Sequence, residues 1–176
     1  MITENQNNLA FIDIETTGLD RQRQEIIEVA LIKVQQPDYK VLDIWQTKIK
    51  PLHIESAHPK ALEINGYTKE KWVNALHPKI ALETFSQKTK NCILVAHNVL
   101  FDRPFLEDHF RKWNIPIRWD YHSLDTVTLA YYKLNPLESL KLSEIAKKLK
   151  IEQAHHHEAL DDTLTCFEIF KKLMET

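Results

Sequence analysis

The chain has 176 residues, 43% hydrophobic and 27% charged, with a net charge of −2 and only two glycines, Gly18 and Gly66. Average usage would give about twelve glycines, and two so far apart build neither a phosphate-cradling P-loop nor a dinucleotide-binding turn. A near-neutral balance also argues against a protein that coats duplex nucleic acid, which is normally strongly basic.

No apolar run approaches the roughly 18 residues that span a bilayer. The polar start, Met1-Ile2-Thr3-Glu4-Asn5-Gln6, has no basic-then-apolar signal pattern. Two cysteines, Cys92 and Cys166, are too few for a disulfide framework, so a reducing, cytoplasmic setting without a membrane partner is expected. With no repeat, low-complexity tract or Pro/Gly/Ser linker, residues 1–176 read as one domain with an ordered core over about 8–174.

Leu9 to Glu15 is apolar and alternating, which predicts a strand with Phe11, Asp13 and Glu15 on one face. Ile26–Val34 and Val41–Ile49 read as two further strands, and the short connections suit antiparallel neighbours. Residues 56–87 switch to helical patterning, broken at Asn65-Gly66 and His77-Pro78. Cys92–Ala96 is a continuous apolar run of the kind buried on both faces of a sheet. A helix is predicted from about Arg103 to Trp113, with Pro104 in its first turn. A short strand near Trp119 and helices at about 124–133, 139–149 and 158–174 complete the reading. The order points to an α/β protein: a mixed sheet of about five strands, the first three antiparallel, flanked by helices.

Asp13 and Glu15 place two like charges on one face of an apolar strand. An exposed strand end is the plain alternative, but Phe11, Ile12 and Ile14 make the segment too apolar for an edge. Buried like charges need a counter-ion, and hard carboxylate oxygens suit Mg²⁺ or Mn²⁺. Asp102, considered alone, reads as a helix N-cap. In the last helix the apolar stripe runs through Ala159, Thr163, Cys166, Phe167, Phe170 and Leu173 or Met174. At 100° per residue Asp162 lies on its flank, towards a cleft, while Asp161 points to solvent. His155, His156 and His157 cannot all face one way, so they form no metal cage by themselves. One neutral imidazole beside metal-binding carboxylates is a suitable proton acceptor.

Three ordered segments resemble the DnaQ-like 3′→5′ exonucleases, the DEDDh branch of the ribonuclease-H-like superfamily. These are Phe11-Ile-Asp-Ile-Glu-Thr-Thr-Gly-Leu19, then Ala96-His-Asn-Val-Leu-Phe-Asp102, then His157-Glu-Ala-Leu-Asp-Asp162, the last fitting H-x-A-x-x-D. Weaker matches are Ile64-Asn-Gly-Tyr-Thr68, Leu124-Asp-Thr126 and Leu140-Lys-Leu142. The resemblance implies a ribonuclease-H-like fold with Asp13, Glu15, Asp102 and Asp162 holding two Mg²⁺, for which Mn²⁺ substitutes. It makes His157 the general base, and Thr16, Leu19 and Asn98 substrate-binding residues. It implies release of nucleoside 5′-monophosphates from nucleic-acid 3′ ends.

Family members that cut short RNA usually carry methionine at the position of Thr16, which disfavours an oligoribonuclease-like substrate; single-stranded DNA is the expected one. The triple histidine resembles exonuclease X-type enzymes, and the end at Thr176 suits a stand-alone nuclease rather than one with a polymerase-binding tail. A DNA polymerase or repair complex, or a second copy of the chain, remains a candidate partner. A non-catalytic nucleic-acid-binding module and an unrelated metal phosphoesterase are the competing readings. The four tryptophans and the Lys147-Lys148-Leu149-Lys150 run read as packing aromatics and a solvated helix face.

Overall fold

The computed structural model describes residues 7–153 and 158–175. Five strands, β1 (Asn8–Thr16), β2 (Ile26–Gln35), β3 (Lys40–Lys48), β4 (Cys92–Ala96) and β5 (Ser123–Asp125), form one sheet in the order β3-β2-β1-β4-β5. β1, β2 and β3 are antiparallel neighbours, whereas β4 and β5 join parallel to β1. The expected mixed sheet and its antiparallel first half are both present. Among the described residues six α-helices accompany it: α1 (Pro59–Ile64), α2 (Pro78–Lys88), α3 (Val99–Trp113), α4 (Thr126–Leu134), α5 (Leu142–Lys148) and α6 (Ala159–Glu175).

The period of two in β1 divides the core. Ala10, Ile12 and Ile14 pack with Val29 and Leu31 against Leu82 and Phe85 of α2 and Phe105, Leu106 and Phe110 of α3. Leu9 and Phe11 point the other way, with Ile32 and Val34, onto Cys166, Phe167 and Phe170 of α6. Phe11 is fully buried, with ring centroids 4.8 Å from Phe167 and 5.2 Å from Phe170. Burial of such a side chain is worth about 1.5–3 kcal/mol, so this contact fixes α6 on the face that Asp13 and Glu15 share. The outer side of α6 carries Ile169 and Leu173, which pack with Ala130 of α4 and Ile145 and Ala146 of α5.

Three boundaries differ from expectation. Helix α3 begins at Val99, four residues early, because Asn98 takes a left-handed conformation (φ 72°) that turns the chain straight out of β4; asparagine tolerates this better than most residues. Pro104 therefore lies in the second turn, and the carbonyl it cannot bond belongs to Leu100, which is 79% exposed and open to water. The fifth strand is Ser123–Asp125 and not near Trp119. Trp119 is a core anchor instead, against Phe85 and Phe110. The helical stretch at 56–87 divides into α1 and α2, each with proline at its start. Trp72 lies between them, buried, its Nε1 donating to the Ile27 carbonyl at 2.8 Å. Both cysteines are free and buried.

Candidate active site

Side-chain alternation carries Asp13 and Glu15 past Leu9 and Phe11 onto the α6 face at the C-terminal end of β1. The first turn of α6 brings Asp162 to meet them. One carboxylate oxygen from each of Asp13, Glu15 and Asp162 lies within 4.8 Å of the others, and all three side chains are half-buried. Asp161 is half-buried as well, so the solvated position expected for it holds only in part, and it lies outside this cluster.

Asp102 stands beside the cluster rather than within that three-way contact. It is 3% exposed, in the first turn of α3, and its Oδ1 accepts the Ile14 amide at 3.2 Å. The side chain is thus not the N-cap; Asn98 holds that position. His157 lies outside the described residues, as do His155 and His156.

Burial, followed by the negative charges of Asp102, Glu15 and Asp162, holds the Asp13 carboxyl well above the usual range. Burial and the charges of Asp162, Glu28 and Asp102 push Glu15 up to about 8, with Lys48 pulling the other way. Burial lifts Asp102 to about 7 against two backbone amides that favour its charged form. Such a set carries more negative charge than its neighbours neutralise, and every donor is a hard oxygen. Those properties fit a divalent cation of the Mg²⁺ class.

The sheet register adds a carboxylate that sequence patterning missed. Glu28 faces Glu15 on β2, and Lys48 faces Glu28 on β3. Glu28 is 3% exposed and its Oε2 lies 3.0 Å from Lys48 Nζ, which sits 4.3 Å above the Trp72 ring. Burial raises the Glu28 pKa while Lys48 opposes the rise. Lys48 is therefore anchored on one side by an acid and on the other by an aromatic face.

The rim is built by backbone locks. Asn65 Nδ2 donates to the Thr16 carbonyl at 3.1 Å, and the His58 amide donates to the Thr17 carbonyl at 2.8 Å. Thr16 Oγ1 donates to the Gly18 carbonyl at 2.7 Å. These bonds tie the turn after β1 to α1 and explain why Asn65 of the weak Ile64–Thr68 match is buried. Leu19 is 85% exposed at the turn and lines an apolar cavity of about 470 Å³ with His58, Ala61 and Ile64.

Opposite, Asn98 is exposed and its amide donates to Asp125 Oδ1 at 3.0 Å; the same oxygen takes the Val127 amide and caps α4. His97 links the end of β4 to Thr126 Oγ1 at 2.9 Å and to the Leu140 carbonyl at 2.8 Å. Asp125 and Leu140 both fall in the weak matches, which are thus fastenings of the site's walls. Two further histidines are bonded to the backbone: His77 Nδ1 accepts the Lys79 amide, and His109 Nδ1 bonds the Phe105 carbonyl.

Residues 10–170 match the RNase T family model, described as an exonuclease. The chain belongs to this exonuclease family. Among curated relatives, the family member is 35% identical over 164 residues to the PolC-type DNA polymerase III of Thermotoga petrophila, covering 93% of this chain and 12% of that protein. The PolC-type polymerase of Mycoplasma genitalium is also 35% identical, with 90% and 11% covered. Among solved structures, Escherichia coli exonuclease I in complex with a dT13 oligonucleotide superposes with a TM-score of 0.80 at 20% identity, covering 97% of this chain and 41% of that one. The chain thus spans about an eighth of the PolC-type relatives and under half of exonuclease I. The superposition bears out the ribonuclease-H-like fold of this exonuclease-family chain.

Proposed function

We propose that residues 1–176 form one exonuclease domain that removes nucleotides from the 3′ end of DNA, single strands preferred, and releases nucleoside 5′-monophosphates. The convergence of Asp13, Glu15 and Asp162 within 4.8 Å carries this reading. Likeness to DNA polymerase III and to an exonuclease I complexed with an oligonucleotide supports DNA as substrate. The former likeness also supports work alongside a DNA polymerase or repair complex.

Asp13, Glu15, Asp102 and Asp162 would hold two Mg²⁺, or Mn²⁺ in their place. When bound, the ions supply positive charge to the phosphate oxygens and lower the pKa of an attacking water. The carboxylates fix where that charge stands. Asp102 holds the β1 backbone between the first two ligands through the Ile14 amide. Leu19 presents an apolar side chain to the terminal base, and the Thr16 backbone and Asn98 border the scissile end. His157 takes the proton of the attacking water.

Incubation with 5′-labelled single-stranded DNA, duplex DNA and RNA, with Mg²⁺, Mn²⁺ or chelator, tests the proposal. Ladders shortening from the 3′ end of single-stranded DNA, abolished by chelator, are expected. Products unchanged by chelator would contradict the metal-dependent reading, and a fully active His157→Ala variant near neutral pH would remove its role as base.

A further inference from the structure

The lysine run at 147–150 does not act as one solvated face. Lys148 Nζ donates to the carbonyls of Leu134 and Pro136 at 3.0 and 2.8 Å, fastening the α4–α5 connection. Lys147, about 100° round the helix, lines a cavity of about 800 Å³ with Lys141, Ser143, Glu144, Gln153 and Asp162. Lys141 and Lys147 are exposed, and among the described residues neither forms an ion pair. The cavity wall thus carries two lysines that have no ion-pair partner among the described residues. Among the described residues that line it the acids are Glu144 and Asp162, the latter belonging to the carboxylate cluster.

Two unpaired cations on one wall ask for an anionic partner. Asp162 belongs both to this cavity and to the carboxylate cluster, so an anion held here belongs to the molecule bound at the cluster. We propose that this cavity is a phosphate subsite in which Lys141 and Lys147 hold a backbone phosphodiester of the substrate strand other than the one hydrolysed. The assignment rests on the exonuclease reading and extends it to the strand's path. A phosphate away from the reacting bond is held equally in ground and transition states, so the contact lowers KM and leaves kcat alone.

The test uses a Lys141→Ala/Lys147→Ala double variant. Its KM for a single-stranded oligonucleotide rises about tenfold or more, with kcat within about twofold. The slope of log KM against log salt falls by about 0.7, the value of one phosphate contact on a single strand. Thymidine 5′-monophosphate p-nitrophenyl ester has a single phosphodiester, and its KM stays unchanged. Glu144→Gln lowers the oligonucleotide KM several-fold, while Lys148→Ala leaves the salt slope intact.

Fluorescence anisotropy with a labelled oligonucleotide, Ca²⁺ replacing Mg²⁺, reports binding without turnover. An unchanged Kd in the double variant, or equal KM changes on both substrates, overturns the subsite. A wild-type protein that binds the oligonucleotide through these lysines but never cleaves it sinks the exonuclease reading and upholds the subsite.

Discussion

The Asp102 carboxylate accepts the Ile14 amide at 3.2 Å, and Ile14 is the residue between Asp13 and Glu15. A side chain from α3 therefore grips β1 at the one backbone position that sets both carboxylates. Because Asp102 is 3% exposed and pushed up to about 7, its charge and its hydrogen bond are separable. Asp102→Asn keeps an acceptor of the same shape for Ile14 and removes a buried charge. We expect the melting temperature to hold or rise while kcat falls about a hundredfold or more, in paired thermal and single-turnover measurements. Full activity in Asp102→Asn would reduce Asp102 to a backbone support.

Removing a cluster carboxylate should separate activity from stability in the same way. Asp13→Asn and Asp162→Ala are expected to lose several orders of magnitude in turnover yet stay folded, since each relieves like-charge repulsion. The rise in melting temperature produced by millimolar Mg²⁺ or Mn²⁺ in the wild type, as binding to the native state requires, should shrink in both. Wild-type rates in either variant would defeat the assignment.

The same charges set a pH dependence. Glu15 moves from 4.5 to about 8 on folding, and Asp13 moves in the same direction. Between about 4.5 and 8 the native state binds more protons than the unfolded chain, so these groups stabilise fully below about 4.5 and progressively less as pH rises towards 8. Metal competes with those protons, so its stabilising effect grows over this window. Melting curves in chelator and in Mg²⁺ at about pH 5.5 and pH 8 measure both trends. A metal-induced rise equal at the two pH values would contradict the linkage.

His97 gives a trend of opposite sign. Burial holds its pKa below the usual 6.5 although the Leu140 carbonyl favours the charged form. The neutral ring donates from Nε2 to Leu140 and meets Thr126 at Nδ1. Its contribution is present above about 6.5 and lost as pH falls through the depressed native value. His97→Ala should cost about 1–2 kcal/mol near neutral pH, with the difference from wild type narrowing in acid. A difference constant with pH, in denaturant titrations, would exclude the bridge as its source.

How far the sequence reached follows from which contacts are local. Alternation in β1 put Asp13 and Glu15 on one face, and 100° steps in α6 put Asp162 towards them; both rules need only nearby residues. Glu28 escaped because Ile26–Val34 reads as a plain apolar strand, and its place opposite Glu15 and Lys48 is fixed by register between strands. Trp119 and Ser123 traded roles because a buried tryptophan beside a turn resembles a strand until Phe85 and Phe110 are seen against it. Lys147 and Lys148 look alike in sequence, and only the returning α4–α5 connection, which supplies carbonyls to one of them, separates their roles.

The scarce glycines supply the last prediction. Gly18 has φ +156°, and a Cβ there would lie 2.7 Å from Gln24 Cγ and 2.8 Å from Cδ. Gln24 cannot easily yield, since its Oε1 accepts the Asp20 amide at 3.0 Å and its Nε2 donates to the Ser56 carbonyl at 2.9 Å. Gly18→Ala must therefore distort the turn that carries Thr16 and Leu19 or break the Gln24 ties. A destabilisation of about 1–3 kcal/mol is expected, together with a higher KM for oligonucleotide 3′ ends. Gln24→Ala opens the space and should recover part of the KM in the double variant. If Gly18→Ala alone leaves both stability and KM unchanged, the turn does not need its glycine.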